Sequence, residues 1–301
     1  MTNQLPKVIR QFAICVKSRK EVIMVYSWLS VIGLFIACRG LPSPILLLKV
    51  FCAMTGTALG VYFYNDILDY EQDIVGKEFG SFSPSSRPLS RGLVSRKMMG
   101  AFAVLMAVSG LASAALINLE VLIIQFAFLV LGFIYSTEPI RLKKIFLMKQ
   151  VTVAIGGVIA CLSAGLAVGT ITVQLLYLMG LYVLFTVGIN PLGDLKDMDS
   201  DRAGGVKTIP IVWGPRFTIR LALATVTASA VSTWVGFLGL GFNIALPIIG
   251  TMVLVALAYV TYPLLGNLEE REYRLKIFYS RGYPLYLVLQ LAVLVGSIQF
   301  S

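Results

Sequence analysis

The sequence predicts an all-α membrane protein: nine transmembrane helices in a bundle around a central cavity, built as two four-helix pseudo-repeats plus one helix. Three observations predict it. Of 301 residues, 57% are hydrophobic and only 13% charged, where a soluble domain carries about 25% charged residues. Apolar runs long enough to cross a bilayer, about 17 to 25 residues, recur from Val22 to the C-terminal residues with no polar domain between them. The chain therefore reads as a single domain, 1–301, whose stretch 1–21 is an interfacial segment. Finally, one carboxylate pattern, Asp66, Asp69 and Asp73, returns four spans later as Asp194, Asp197 and Asp201.

The spans fall near 22–38, 45–64, 98–117, 119–135, 150–168, 173–192, 221–238, 243–263 and 283–299. Spans three and four, and five and six, are joined as closely as helical hairpins. Charge gives an independent test, because lysine and arginine collect in cytoplasmic loops. With the N-terminus inside, all of the 25 basic residues except Arg39 and Lys49, and all of the 15 acids except Glu120, share one side. Both acid clusters then face the cytoplasm and the C-terminus lies outside.

A net charge of +10 confined to short membrane loops is accounted for by topology and anionic lipid, so no nucleic-acid partner is expected. The four cysteines, Cys15, Cys38, Cys52 and Cys161, have no CxxC spacing and read as packing residues. Histidine is absent. Imidazole is thereby excluded as base or ligand.

In chain order, residues 1–21 interleave Lys7, Arg10, Lys17, Arg19 and Lys20 with Leu5, Val8, Phe12, Cys15 and Val16. This suits a surface helix or a mobile basic tail. The first span closes with Phe35-Ile36-Ala37-Cys38, a lipoprotein-like signal outweighed by eight further spans. The second carries Ala53, Gly56, Ala58 and Gly60, small enough for close helix approach, and delivers Tyr62, Tyr64 and the first acids. A polar loop with Ser81, Ser83, Pro84, Ser85 and Ser86 follows. It leads to Arg87 and Arg91, whose forked donors suit phosphate and whose charges also suit topology alone.

The fourth span ends at Tyr135, and Pro139 stops the helix. Tyrosine is common there as an interface anchor. The fifth span is rich in small residues (Gly156, Gly157, Ala160, Ala164, Gly165). The sixth ends near Asn190-Pro191 and runs into the second acid cluster, then Arg202, Gly204, Gly205 and Lys207. Residues 267–282 read as an interfacial helix over the site or as a solvated connector.

Steps of three and four residues put each acid triad on one helix face, at the helix pole where negative charge is disfavoured. Six converging carboxylates repel unless a cation joins them. Magnesium prefers carboxylate and phosphate oxygens, and the neighbouring basic residues suit a diphosphate. The apolar setting suits a lipid chain attached to it. The expected ligand is an isoprenoid diphosphate, ionised at its allylic carbon–oxygen bond, with the cation stabilised by tyrosine faces and shielded from water. Transporters place such acids at the midplane, whereas these lie at one membrane face.

These residues carry a family resemblance. NDILDYEQD resembles the NDxxDxxxD motif of the UbiA superfamily of intramembrane prenyltransferases, and DLKDMDSD resembles its DxxDxxxD motif. SRPLSRG, YSTEPIRLKK and DRAGGVKTIPIVWG are similar to further family segments. The resemblance implies Mg2+ and diphosphate binding by Asn65, Asp66, Asp69 and Asp73 with Asp194, Asp197 and Asp201. It implies phosphate contacts from Arg87, Lys143 and Lys207, and places Tyr135 against the reacting carbon, with Asp69 and Asp197 central to catalysis. The acceptor would be lipophilic, a quinone precursor or a lipid. A terpene cyclase on the same scaffold shares every motif needed for ionisation. The second motif most resembles branches making archaeal ether lipids, chlorophylls or prenylated quinones, while the stretch from Asp73 to Arg87 is longer than the ether-lipid branch leads one to expect.

Overall fold

The computed structural model describes residues 5–71, 73–74, 87–266 and 271–298. The serine-rich loop with Ser81, Ser83, Pro84, Ser85 and Ser86, and residues 267–270 of the last connector, lie outside the described residues. Among those described, every regular element is helical. Helix α1 is Leu5–Ser18, α2 Lys20–Cys38, α3 Pro44–Leu68, α4 Arg96–Ala115, α5 Leu119–Ser136, α6 Met148–Ala167 and α7 Val173–Gly188. Two short helices, α8 Met198–Ala203 and α9 Ile209–Trp213, precede α10 Pro215–Gly239, α11 Ala245–Thr261 and α12 Arg271–Ser297.

Eight helices among the described residues are long and apolar enough to cross a membrane. The region expected to form a ninth span falls in the C-terminal part of α12, which is not among the eight and packs against α11 and α2. Local chemistry sets the starts. Ser43, Ser95, Asn118 and Thr172 each accept a hydrogen bond from the backbone N–H three residues on, satisfying a donor that has no partner inside the helix. Asn118 also donates to the Leu166 carbonyl at 2.8 Å, tying the α4–α5 turn to the end of α6.

Packing is closest between α3 and α4. A Cβ on Gly56 would lie 2.6 Å from the Gly110 Cα, and one on Gly110 would lie 2.5 Å from the Thr57 nitrogen. Only glycine permits this approach. Deeper in the bundle, Thr57 Oγ1 donates to Gln125 Oε1 at 2.6 Å, and Gln125 Nε2 donates to Ser163 Oγ at 2.8 Å. This buried bridge joins α3, α5 and α6, with each polar group satisfied where water is absent.

Several boundaries differ from the sequence reading. Helix α3 continues four residues past 64, so Asn65 and Asp66 occupy its last turn. Helix α7 stops at Gly188, and the 3₁₀ turn Asn190–Leu195, with Pro191 at its start, takes over. Consequently neither acid triad lies on one unbroken helix. Asp69 caps α3, and Asp194 sits in the 3₁₀ turn while Asp201 belongs to α8. Backbone hydrogen bonds nonetheless chain each triad at the expected offsets, Asp73 N to Asp69 O at 2.8 Å and Asp201 N to Asp197 O at 2.8 Å.

The N-terminal segment is a packed helix. Phe12 stands edge-on to Phe102 at 5.2 Å, Cys15 is buried and Gln11 Nε2 donates to the Leu93 carbonyl at 2.9 Å. A mobile tail is therefore not what residues 5–18 form.

Candidate active site

The end of α3 and the α7–α8 segment bring the two triads to the same end of the bundle, and the members of each triad differ in environment. The first acid is buried against cations. Asp66 pairs with Arg19 through both guanidinium edges, Nε to Oδ2 at 3.2 Å and Nη2 to Oδ1, and Arg87 Nε lies 3.8 Å away. Asp194 takes Lys149 Nζ at 2.6 Å and Gln150 Nε2 at 3.0 Å. The side chains of Asp66 and Asp194 are 1% and 8% exposed, against 18% for both Asp69 and Asp201. The later members of each triad are the ones that reach outward.

Asp69 is held by Lys143 and by Arg141 Nη2 at 3.2 Å. Arg141 is in turn paired with Glu138 at 3.0 Å. Asp201 Oδ2 is buried with no hydrogen-bond partner, and Lys149 Nζ lies 4.0 Å from it. Burial pushes the Asp201 carboxyl up to about 6, against the pull of Lys149. Burial and the Asp69 charge push Asp73 up to about 6 as well. Asp197 is raised by burial and Lys143 is lowered by it. In each case the medium disfavours the charged form, so these groups favour a ligand that supplies opposite charge.

Below the acids lies an apolar cavity between α2, α3, α5 and α6, lined by Tyr26, Tyr62, Asn65, Tyr135, Thr152 and by Val61, Phe128, Leu131, Gly132 and Val153. Asn65 Nδ2 donates to Ser136 Oγ at 2.9 Å. The Arg19 guanidinium covers the Tyr62 ring at 5.1 Å, linking the cavity to the cations above.

Of the residues expected to hold phosphate, Lys143 sits on Asp69, and Arg87 turns inward, donating also to the Ser18 carbonyl at 3.1 Å. Arg87 is thus part of the acid cluster and not a lipid-facing charge. Arg91 and Lys207 are exposed, and Lys207 forms no ion pair among the described residues. Four residues escaped the sequence reading: Arg19, Arg141, Lys149 and Gln150. Arg19 and Lys149 looked like topogenic charges. Gln150, polar at the edge of an apolar run, was the one available signal.

Magnesium fits this donor set. Among the described residues, no three acidic or cysteine side chains converge to hold an ion by themselves, yet magnesium typically takes one or two carboxylates and completes its shell with water and phosphate oxygens. The unpartnered Asp201 oxygen is the donor such an arrangement needs.

Residues 26–281 match the UbiA prenyltransferase family. The chain belongs to that family. Among its relatives, the digeranylgeranylglyceryl phosphate synthase of Thermococcus gammatolerans is 27% identical over 245 residues, 80% of this chain and 83% of the relative. That of Thermococcus kodakarensis is 29% identical over 222 residues, 72% and 76% of the two chains. Solved structures share the UbiA fold. One from a study of digeranylgeranylglyceryl phosphate synthase in membranes has a TM-score of 0.71 at 21% identity, covering 97% of this chain and 99% of its own. A UbiA homologue from Archaeoglobus fulgidus, solved with DMAPP and Mg2+, gives 0.63 at 16% identity, covering 91% and 97%. The all-helical membrane architecture and the prenyltransferase class expected from sequence are both borne out.

Proposed function

We propose that this UbiA-family prenyltransferase transfers a prenyl group from an isoprenoid diphosphate to a lipophilic acceptor, with magnesium, at the cytoplasmic face of the membrane. The observation that carries the proposal is the placing of two acid clusters and their cations over an apolar, tyrosine-lined cavity. The acids hold the polar end of the donor and the cavity holds its chain.

Asp69, Asp73, Asp197 and Asp201 would hold magnesium, being the members of each triad that are not fully buried, and Asn65 lies beside them. Magnesium held there would supply positive charge to offset that developing on the leaving diphosphate. Asp66 and Asp194 act differently: each fixes a buried cation, Arg19 or Lys149, at the edge of the site. Arg87, Arg141 and Lys143 exchange carboxylate for diphosphate oxygens, which forked and compact cations both accept. The faces of Tyr62 and Tyr135 stabilise the allylic cation. The apolar wall keeps water from it.

The relatives named for digeranylgeranylglyceryl phosphate make a lipid with two such chains on glycerol phosphate, which supports a lipid acceptor. The decisive experiment supplies purified protein with labelled geranyl or geranylgeranyl diphosphate and magnesium, with and without geranylgeranylglyceryl phosphate or a membrane lipid extract. Label joined to a lipid is the expected product. A cyclic hydrocarbon formed without acceptor would replace transfer by cyclisation, and no product under any condition would refute both.

A further inference from the structure

The cavity beneath the acid clusters ends, toward the middle of α5, against buried aromatic side chains. Along α5 its wall runs from Tyr135 through Gly132 and Leu131 to Phe128. Seven residues of helix, at 1.5 Å each, give a depth of about 10 Å. One isoprene unit adds four carbon–carbon bonds in line and so about 5 Å. The space matches two units.

Two rings form that end. Phe128 stands edge-on to Tyr26, centroids 5.5 Å apart and planes at 72°, and both rings are buried. Both rest on Gly156 of α6, where an added Cβ would lie 3.0 Å from Tyr26 Cε1 and 3.1 Å from Phe128 Cε2. Tyr26 reaches this point from a π-turn in α2, Ile23–Ser27, a local widening of the helix often found at functional sites. One turn below Phe128, the Thr57–Gln125–Ser163 bridge ties α3, α5 and α6 together. A satisfied polar network in an apolar interior is costly to break, so these helices resist parting beneath the rings.

We infer that Phe128, seated with Tyr26 on Gly156, is the floor that sets the prenyl-chain length the site accepts. Donors of two isoprene units fit above it, and longer donors must displace the Phe128 ring. The inference rests on the proposed diphosphate site and specifies its donor.

The test measures binding by the full-length protein in detergent micelles with magnesium, using geranyl and geranylgeranyl diphosphates whose bridging oxygen is replaced by sulfur to slow ionisation. Calorimetric titration gives the affinity ratio of the longer to the shorter analogue. Phe128→Ala raises that ratio at least about tenfold, since the added units gain buried apolar surface, and Phe128→Leu raises it by less. A ratio unmoved within about twofold in both variants, with both analogues bound, overturns the floor alone. Failure of the wild type to bind either analogue overturns the floor and the proposed function together.

Discussion

Replacing Arg19 by methionine removes the partner of a carboxylate that is 1% exposed, and the consequence is calculable. The pair is two-pronged, with Nε on Oδ2 at 3.2 Å and Nη2 on Oδ1. Arg87, at 3.8 Å, stays behind and keeps Asp66 from being wholly unpaired. Breaking a buried pair from one side costs about 3–5 kcal/mol, and with Arg87 present the lower end, about 3 kcal/mol, is expected. Asp66→Asn in the same background removes the stranded charge, so the double variant recovers about 2 kcal/mol relative to additivity. Arg19→Lys keeps the charge but loses one prong, costing about 1–2 kcal/mol. Equilibrium unfolding in mixed micelles measures the wild type, the single variants Arg19→Met and Asp66→Asn, their double variant and Arg19→Lys. Single-variant losses that add within about 0.5 kcal/mol would show that α1 and the acid cluster are uncoupled, and the account of Arg19 would fail.

Three further outcomes are expected. Asp69→Asn or Asp197→Asn lowers turnover by at least about a hundredfold while membrane insertion is kept; full activity in both, in the labelled-donor assay, would remove the acid clusters from the reaction. Gly110→Leu drives its side chain into the Thr57 nitrogen and the Ala53 carbonyl, 2.5 and 2.9 Å from the first added carbon, and costs upwards of about 3 kcal/mol, whereas Gly180→Ala, with nothing within 4 Å, changes the melting temperature little. Asp73 and Asp201, raised to about 6, bind protons in the folded state that the unfolded chain has released, so stability of the ligand-free protein falls as pH rises from about 4 to about 6. Magnesium and diphosphate favour the ionised acids and should flatten that fall; a pH-independent melting temperature without ligand contradicts it.

The spans were legible because a bilayer demands long apolar runs, and the acid triads because their spacing survives even where the helix breaks. Pro191 shows why the break itself was hard to place: it ends one helix and opens a 3₁₀ turn with equal ease. The pairing of cations was not legible. Arg19 meets Asp66 across 47 positions of sequence, and nothing local separates it from Lys17 or Lys20, which are exposed. Lys143 and Lys207 both sat in motif-like segments, yet only Lys143 reaches an acid, because its 3₁₀ turn, Leu142–Lys144, lies against α6 and α5.

Charge balance at the site leads to one more expectation. Six carboxylates, Asp66, Asp69, Asp73, Asp194, Asp197 and Asp201, share their surroundings with Arg19, Arg87, Arg141, Lys143 and Lys149. Arg19, though pushed down to about 9 by burial and Arg87, remains charged at neutral pH. The charges these side chains bring to the site are therefore close to balance, and a lone divalent cation gains little by entering while the lysines and arginines hold the acids. A lone diphosphate meets the opposite difficulty. Entering together, each frees the partners the other needs: diphosphate draws the cations away and magnesium takes the released carboxylates. The expected result is strong mutual enhancement, at least about tenfold, when magnesium is titrated calorimetrically with and without inorganic pyrophosphate. Equal magnesium affinity in both titrations would mean that the carboxylates are already free for metal, and that the ion pairs around Asp69 and Asp201 do not govern its entry.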